Sequence, residues 1–287
     1  MFFLGFLFLL CYIGVEVISM LYSAKNGTLP IDGTTMDYVR FGTGMAVLIM
    51  LPGLGDGLRT VKGTALPMAL LYRRFARDFT VYMFSRKNDL PQGASTQDMA
   101  RDLKHAMELL GIPKAHIFGV SMGGMIAQHF AAGYPEAVEK LVLTVTCPRP
   151  NPTLLSSVSE WKELALRRDH AALMDSNLRL IYSDNYYRKN KWMIPLVGKL
   201  TRPASYSRFL IQADACLTHN AYDRLPQIQA PTLVIGGEKD LALGGDASRE
   251  IAAQIPHARL HMYHAWGHGL YEEAKDFNDL VLSFLKS

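Results

Sequence analysis

A serine flanked by glycines, Gly119-Val120-Ser121-Met122-Gly123 with Gly124 behind it, stands between a run that reads as a strand and one that reads as a helix. The chemistry open to such a serine is nucleophilic. A strand-to-helix turn tight enough to expose its hydroxyl strains the serine backbone and demands small residues where the helix comes close to the strand. The helix N-terminus then points at the hydroxyl and favours negative charge there. A free hydroxyl is a weak nucleophile at neutral pH and needs a base. Trp266-Gly267-His268-Gly269 supplies one, in a glycine-rich loop after the last strand-like run. The imidazole in turn needs a carboxylate to hold its tautomer and stabilise its charged form. Asp240, close behind the strand-like TLVIGG, takes that role ahead of Glu238, expected to point away within the turn, and of Asp246, further along the chain.

A tetrahedral oxyanion needs preorganised amides, and the loss of one such donor costs about 3–4 kcal/mol of transition-state stabilisation. The loop LPGLGDG after the strand-like AVLIM can curl so that the Leu54 amide faces Ser121, with the Met122 amide as second donor. Two rival readings fit less well. A dinucleotide loop would put its third glycine at position 58, which is Leu58, and no Walker lysine follows. A metal cluster of His261, His264 and His268 lacks a His-Glu-x-x-His helix and a carboxylate at ligand spacing. No metal or organic cofactor is therefore expected.

These residues need a scaffold that brings loops after several strands to one edge. The apolar runs AVLIM, FTVYMFSR, AHIFGVS, KLVLTVT, APTLVIGGEKD and ARLHMYHAWGH alternate with the helical patterns ALPMALLYRRFARD, STQDMARDLKHAMELLG, GGMIAQHFAAGYPEAVEK, SREIAAQIP and EEAKDFNDLVLSFLKS. Such alternation predicts an α/β fold, a mostly parallel central sheet with helices on both faces. Ahead of it, VISMLYS and TMDYVRF read as two strands joined by the turn KNGTLPIDG. The alternation breaks from about Cys147 to Pro226, where helical patterns over Glu160–Arg168, His170–Ile181 and Ser205–Leu217 predict an inserted helical lid. The expected division is an apolar extension over 1–15, a core over 16–146 and 227–287, and a lid over 147–226.

Composition narrows the function classes. Hydrophobic residues at 49% and charged residues at 20% allow a large core and argue against disorder. The net charge of +4 comes from 30 basic and 26 acidic residues intermixed along the chain, which argues against nucleic acid as a partner. Cys11, Cys147 and Cys216 form no disulfide framework and read as free thiols in a reducing compartment. Residues 1–15 are apolar throughout, Glu16 follows, and no Lys or Arg precedes Lys25. A spanning helix wants about 20 apolar residues, and a signal peptide wants a basic start. The reading adopted is a non-membrane extension on a cytoplasmic protein, with VISMLYS as first strand. A membrane anchor is the alternative. The basic residues Arg188, Lys189, Lys191, Lys199 and Arg202 in the lid read as a solvated face, with an anionic substrate or lipid surface as the second choice.

GVSMGG, GGEKD, WGHG and PGLGD together resemble the α/β-hydrolase superfamily from about Val17 to the C-terminus. The chain is most similar to its lid-bearing esterase, lactonase and cofactor-free perhydrolase branch. The chain order Ser121, Asp240, His268 is the one that fold uses. Many relatives carry His-Gly where this chain has Pro52-Gly53, which keeps the backbone amide and loses a histidine side chain. Dehalogenase and epoxide-hydrolase relatives place Asp at the nucleophile position, so Ser121 argues against both. The resemblance implies hydrolysis of an ester or related carbonyl with an apolar acyl group, and leaves esterase, lactonase, perhydrolase and C–C hydrolase open. It also leaves a second class open, a triad-bearing signalling partner or ligand receptor with little turnover.

Overall fold

The computed structural model describes residues 22–287. Its eight strands form one sheet: β1 (Lys25–Ile31), β2 (Thr34–Phe41), β3 (Ala46–Leu51), β4 (Phe79–Lys87), β5 (Ala115–Val120), β6 (Val138–Thr144), β7 (Thr232–Gly237) and β8 (Arg259–Tyr263). Their spatial order is β1-β2-β4-β3-β5-β6-β7-β8. The first two pairings, β1 with β2 and β2 with β4, are antiparallel, and every later pairing is parallel.

The parallel strands alternate sides with period two while burying both. Ile49, Ile117, Leu141, Leu143 and Val234 enter one apolar cluster; Leu48, Phe118, Val142, Leu233 and Ile235 enter the other. Helices cover both. The first cluster packs α3 (Thr96–Leu109), α4 (Met122–Gly133) and α10 (Ala247–Gln254). The second packs α1 (Ala65–Leu71), α2 (Arg73–Ala76) and α12 (Phe277–Lys286). The short α11 (Leu270–Glu273) precedes α12. Ser95 opens α3 with a full capping box to Asp98.

Two sequence expectations need correction, and a third goes untested. KNGTLPI, read as a connector, is β1 itself, and the turn is only Asp32-Gly33, with φ of 47° and 77°. Positive φ at both positions is what a two-residue hairpin turn requires. Asn26, Gly27 and Pro30 give the strand a turn-like composition, tolerated because β1 is an edge strand. The strand expected over VISMLYS, residues 17–23, falls mainly outside the described residues. Finally, GYPEAVEK does not prolong α4: the helix stops at Gly133, and Val138–Lys140 already belong to β6. Pro135 has no N–H to carry the helix on.

Between β6 and β7 stand five helices: α5 (Pro152–Leu166), α6 (His170–Ile181), α7 (Asp184–Asn190), α8 (Ile194–Thr201) and α9 (Ser207–Leu217). The sequence pattern foresaw α5, α6 and α9, with α5 beginning earlier than expected, and missed the short α7 and α8. Side chains cap α5, α6 and α7: Asn151, Asp169 and Ser183 accept from the Leu154, Ala172 and Tyr186 amides. Trp161, Tyr206 and Phe209 pack inward, whereas Trp192 is 73% exposed. Among the described residues no helix is long and apolar enough to cross a membrane.

Candidate active site

Ser121 sits at φ 55° and ψ −121°, between β5 and α4. Positive φ on a serine is strained, and the surroundings hold it there. Its N–H donates to the Thr144 carbonyl (2.9 Å), and its own carbonyl accepts from Gly124 (2.8 Å) and Met125 (3.2 Å). The glycines leave no choice of residue. A Cβ on Gly119 would lie 2.5 Å from the Gly123 carbonyl oxygen, and one on Gly123 would lie 2.0 Å from that of Leu51. A Cβ on Gly124 would meet Thr146 at 2.6 Å.

Sheet order puts the loop after β3, the expected oxyanion loop, beside the serine, because β3 and β5 are neighbours and Leu51 pairs with Gly119. A Cβ on Gly53 would lie 3.4 Å from the Ser121 Cβ and 3.7 Å from its Oγ. Leu54 opens the 3-10 turn Leu54–Gly57, and Met122 opens α4. The first amides of a helix have no intrahelical acceptor, so the Met122 amide is free to bind a ligand oxygen.

A buried charge cluster, not foreseen from the sequence, fixes this loop. The Asp56 carboxylate accepts from the Arg86 amide (3.1 Å) and from Arg208 Nη2 (2.5 Å). Arg86 Nη2 donates to the Pro52 carbonyl (2.6 Å). Arg208, on α9, also donates to the carbonyls of Asp56, Arg86 (2.9 Å) and Lys87 (3.0 Å). Burial pulls the Arg86 guanidinium below its usual range, and Asp56 opposes that shift. The visible signal was Asp56 within PGLGDG, a motif weighed only for its glycines.

On the other side of β6, the loops after β7 and β8 press together. A Cβ on Gly237 would lie 2.6 Å from the Gly267 carbonyl oxygen, and the Lys239 amide donates to the Trp266 carbonyl (3.1 Å). Asp240 and His268 are both buried, and His268 Nδ1 lies 2.8 Å from Asp240 Oδ2. The other carboxylate oxygen, Oδ1, accepts from the Ala242 (2.8 Å) and Leu243 (2.9 Å) amides. With Nδ1 facing the acid, Nε2 is the ring nitrogen available for proton exchange. The rivals are occupied elsewhere: Glu238 pairs with Arg249 (2.7 Å) and His264 (2.9 Å), and the exposed Asp246 lies 3.8 Å from Arg249. His264 faces Glu238 and His268 faces Asp240, and among the described residues no group of three or more His, Cys, Asp or Glu could hold a metal ion.

The lid is tied to the histidine loop. The Gly269 amide donates to the Ile181 carbonyl at the end of α6 (2.6 Å). Ser183 donates to Glu273 through its amide (3.0 Å) and hydroxyl (2.6 Å), and the Tyr182 hydroxyl donates to Glu272. A neutral polar cluster backs the serine turn on the opposite side. Gln128 donates to the Cys147 carbonyl (3.1 Å), His219 Nδ1 lies 2.8 Å from Thr96 Oγ1, and His129 meets His219 edge to face. Burial pushes His129 down to about 4 and His219 down to about 3. It also raises both buried thiols, Cys216 to about 12 and Cys147 in the same direction, so neither is a ready nucleophile.

Known proteins share this architecture. The family model for the alpha/beta hydrolase fold matches residues 46–275. A 2-hydroxy-6-oxononadienedioate/2-hydroxy-6-oxononatrienedioate hydrolase from Pseudomonas putida is 28% identical over 270 residues, covering 88% of this chain and 91% of that one. A hydrolase of the same name from Burkholderia vietnamiensis is 30% identical over 281 residues, covering 89% and 93%. Among solved structures, the enol-lactonase from Burkholderia xenovorans LB400 superposes with a TM-score of 0.75 at 23% identity, covering 91% of this chain and 100% of that one. The sheet order, the strained serine turn and a match spanning most of the sequence agree: the chain belongs to the α/β hydrolase family.

Proposed function

We propose that this protein is a serine hydrolase that opens a carboxylic ester or lactone through an acyl-enzyme. The observation that carries the reading is the buried Asp240–His268 pair, 2.8 Å apart, on the same sheet edge as a strained Ser121. In this reading His268 Nε2 takes the Ser121 proton as Oγ attacks the carbonyl carbon. The Leu54 and Met122 amides receive the oxyanion. The proton then passes to the leaving alkoxide, and water releases the acyl group by the same steps in reverse roles. Asp240 keeps the imidazole in register and stabilises its charged form. The core over 16–146 and 227–287 supplies these groups, and the lid over 147–226 walls the pocket.

A second reading is favoured by the two bacterial relatives, whose names denote hydrolysis of dienedioate and trienedioate substrates. The same serine could attack a ketone carbonyl, with a stabilised carbanion in place of the alkoxide as leaving group. The two readings differ in the leaving group and share Ser121.

The test is turnover of p-nitrophenyl esters of graded acyl length, an enol lactone and a 2-hydroxy-6-oxodienedioate by wild type and by Ser121→Ala. Ester or lactone turnover that falls at least about a thousandfold in the variant supports the proposal. Turnover of the dienedioate alone, again dependent on Ser121, replaces the first reading with the second. Equal activity in both proteins overturns the nucleophile assignment.

A further inference from the structure

α8 is a helix with one face in the protein and the other in water. Ile194, Val197 and Gly198 are buried, and a Cβ on Gly198 would lie 3.4 Å from the Ala171 Cα of α6. Thr201, on the same side, bonds His170 (3.1 Å). Leu196 and Leu200, four residues apart, share the other side of α8, and Trp192 stands in the 3-10 turn Lys191–Met193 that leads into the helix. Trp192, Leu196 and Leu200, the stripe, are 73%, 51% and 67% exposed, three large apolar side chains within nine residues of the chain.

Charge surrounds the stripe. The segment 184–202 carries five cations, Arg188, Lys189, Lys191, Lys199 and Arg202, against one carboxylate, Asp184. All five cations are exposed. No carboxylate forms an ion pair with any of them among the described residues, and Lys191 rests over the Tyr187 ring. We infer that this face of α8 docks the protein on the surface of an anionic lipid bilayer.

Three arguments select that occupant. A helix lying in a bilayer interface needs an aromatic and aliphatic face flanked by Lys and Arg, which is the composition found here. Anionic headgroups complement five cations that no carboxylate neutralises, whereas a second copy of the chain would set like charges against each other. A stripe of three side chains is also narrow for a stable protein interface, which buries about 800 Å² on each partner, but is sufficient as a wedge among headgroups. The stripe belongs to the lid, so docking would turn the lid toward the bilayer.

The experiment is co-sedimentation of the full chain with vesicles of phosphatidylcholine, with and without phosphatidylglycerol. Wild type is compared with a Trp192→Ser/Leu196→Ser/Leu200→Ser variant and a Lys189→Ala/Lys191→Ala/Lys199→Ala variant. Unchanged thermal unfolding midpoints certify that both variants fold. Wild type should bind the anionic vesicles selectively, and less at high salt. The lysine variant should lose on the order of a hundredfold in partitioning, about fivefold per cation, and the serine variant should lose binding altogether. Three outcomes overturn the inference: equal binding to neutral vesicles, variants that bind like wild type (which would assign the contact to another segment such as the apolar residues 1–15), or a stripe variant that changes only the oligomeric state.

Discussion

The turn that carries Ser121 is packed backbone on backbone, whereas the loop that carries His268 is tied to the lid largely by hydrogen bonds. On the serine side, Gly119 and Gly123 sit where any Cβ would strike a backbone carbonyl oxygen within 2.5 Å. On the histidine side, Ile181, Tyr182 and Ser183 hold Gly269, Glu272 and Glu273 across the gap between lid and core. The first kind of restraint tolerates no intermediate, because a backbone carbonyl has nowhere to move. The second yields one bond at a time. One sheet edge therefore holds Ser121 by exclusion, and His268 by the packing of Gly237 against Gly267 with attachment to the lid added.

The largest effect expected on the serine side comes from Asp56→Ala, which leaves Arg86 and Arg208 without their shared anion beside the oxyanion loop. Removing one partner of a buried charge cluster costs about 3–5 kcal/mol, read as a shift in urea denaturation. Next is Gly123→Ala, whose methyl would lie 2.0 Å from the Leu51 carbonyl oxygen. About 3 kcal/mol of overpacking is expected, with hydrolase activity lost in parallel. Acid acts gradually, over several pH units. His129 and His219 titrate near 4 and 3 in the fold against an ordinary 6.5, so the unfolded chain binds more protons between those values. Their contribution is intact above about pH 6.5 and is lost as pH falls toward 4 and then 3, by at most about 1.4 kcal/mol per pH unit for each histidine. The thermal midpoint measured against pH should fall less steeply in His219→Gln. The smallest effect is Ser183→Ala, at about 1 kcal/mol, with kcat reduced a few-fold as the His268 loop loosens. If Ser183→Ala proved as damaging as Gly123→Ala, the contrast between exclusion and attachment would collapse.

The same contrast governs what could be read from the chain. The turn at Ser121 and the loops that bring Asp240 and His268 together stood out because tight turns force glycines into short, local patterns. The sheet was legible because strands buried on both faces become unbroken apolar runs. Arg208 bonds Asp56 across 152 positions, and no local pattern announces such a pair. The tie between Ser183 and Glu273 is invisible for the same reason, since it joins elements 90 positions apart. β1 was misread because its edge position permits Gly27 and Pro30, the residues that elsewhere signal a turn. The short α7 and α8 were missed because neither is long enough for a helical period to stand out.

The bond from Gly269 to the Ile181 carbonyl reaches the lid from the residue directly after the base. A lid that swung outward would carry that loop with it and draw His268 off Asp240. The lid is thus a splint as well as a cover: its position and the aim of the His268 ring are set together.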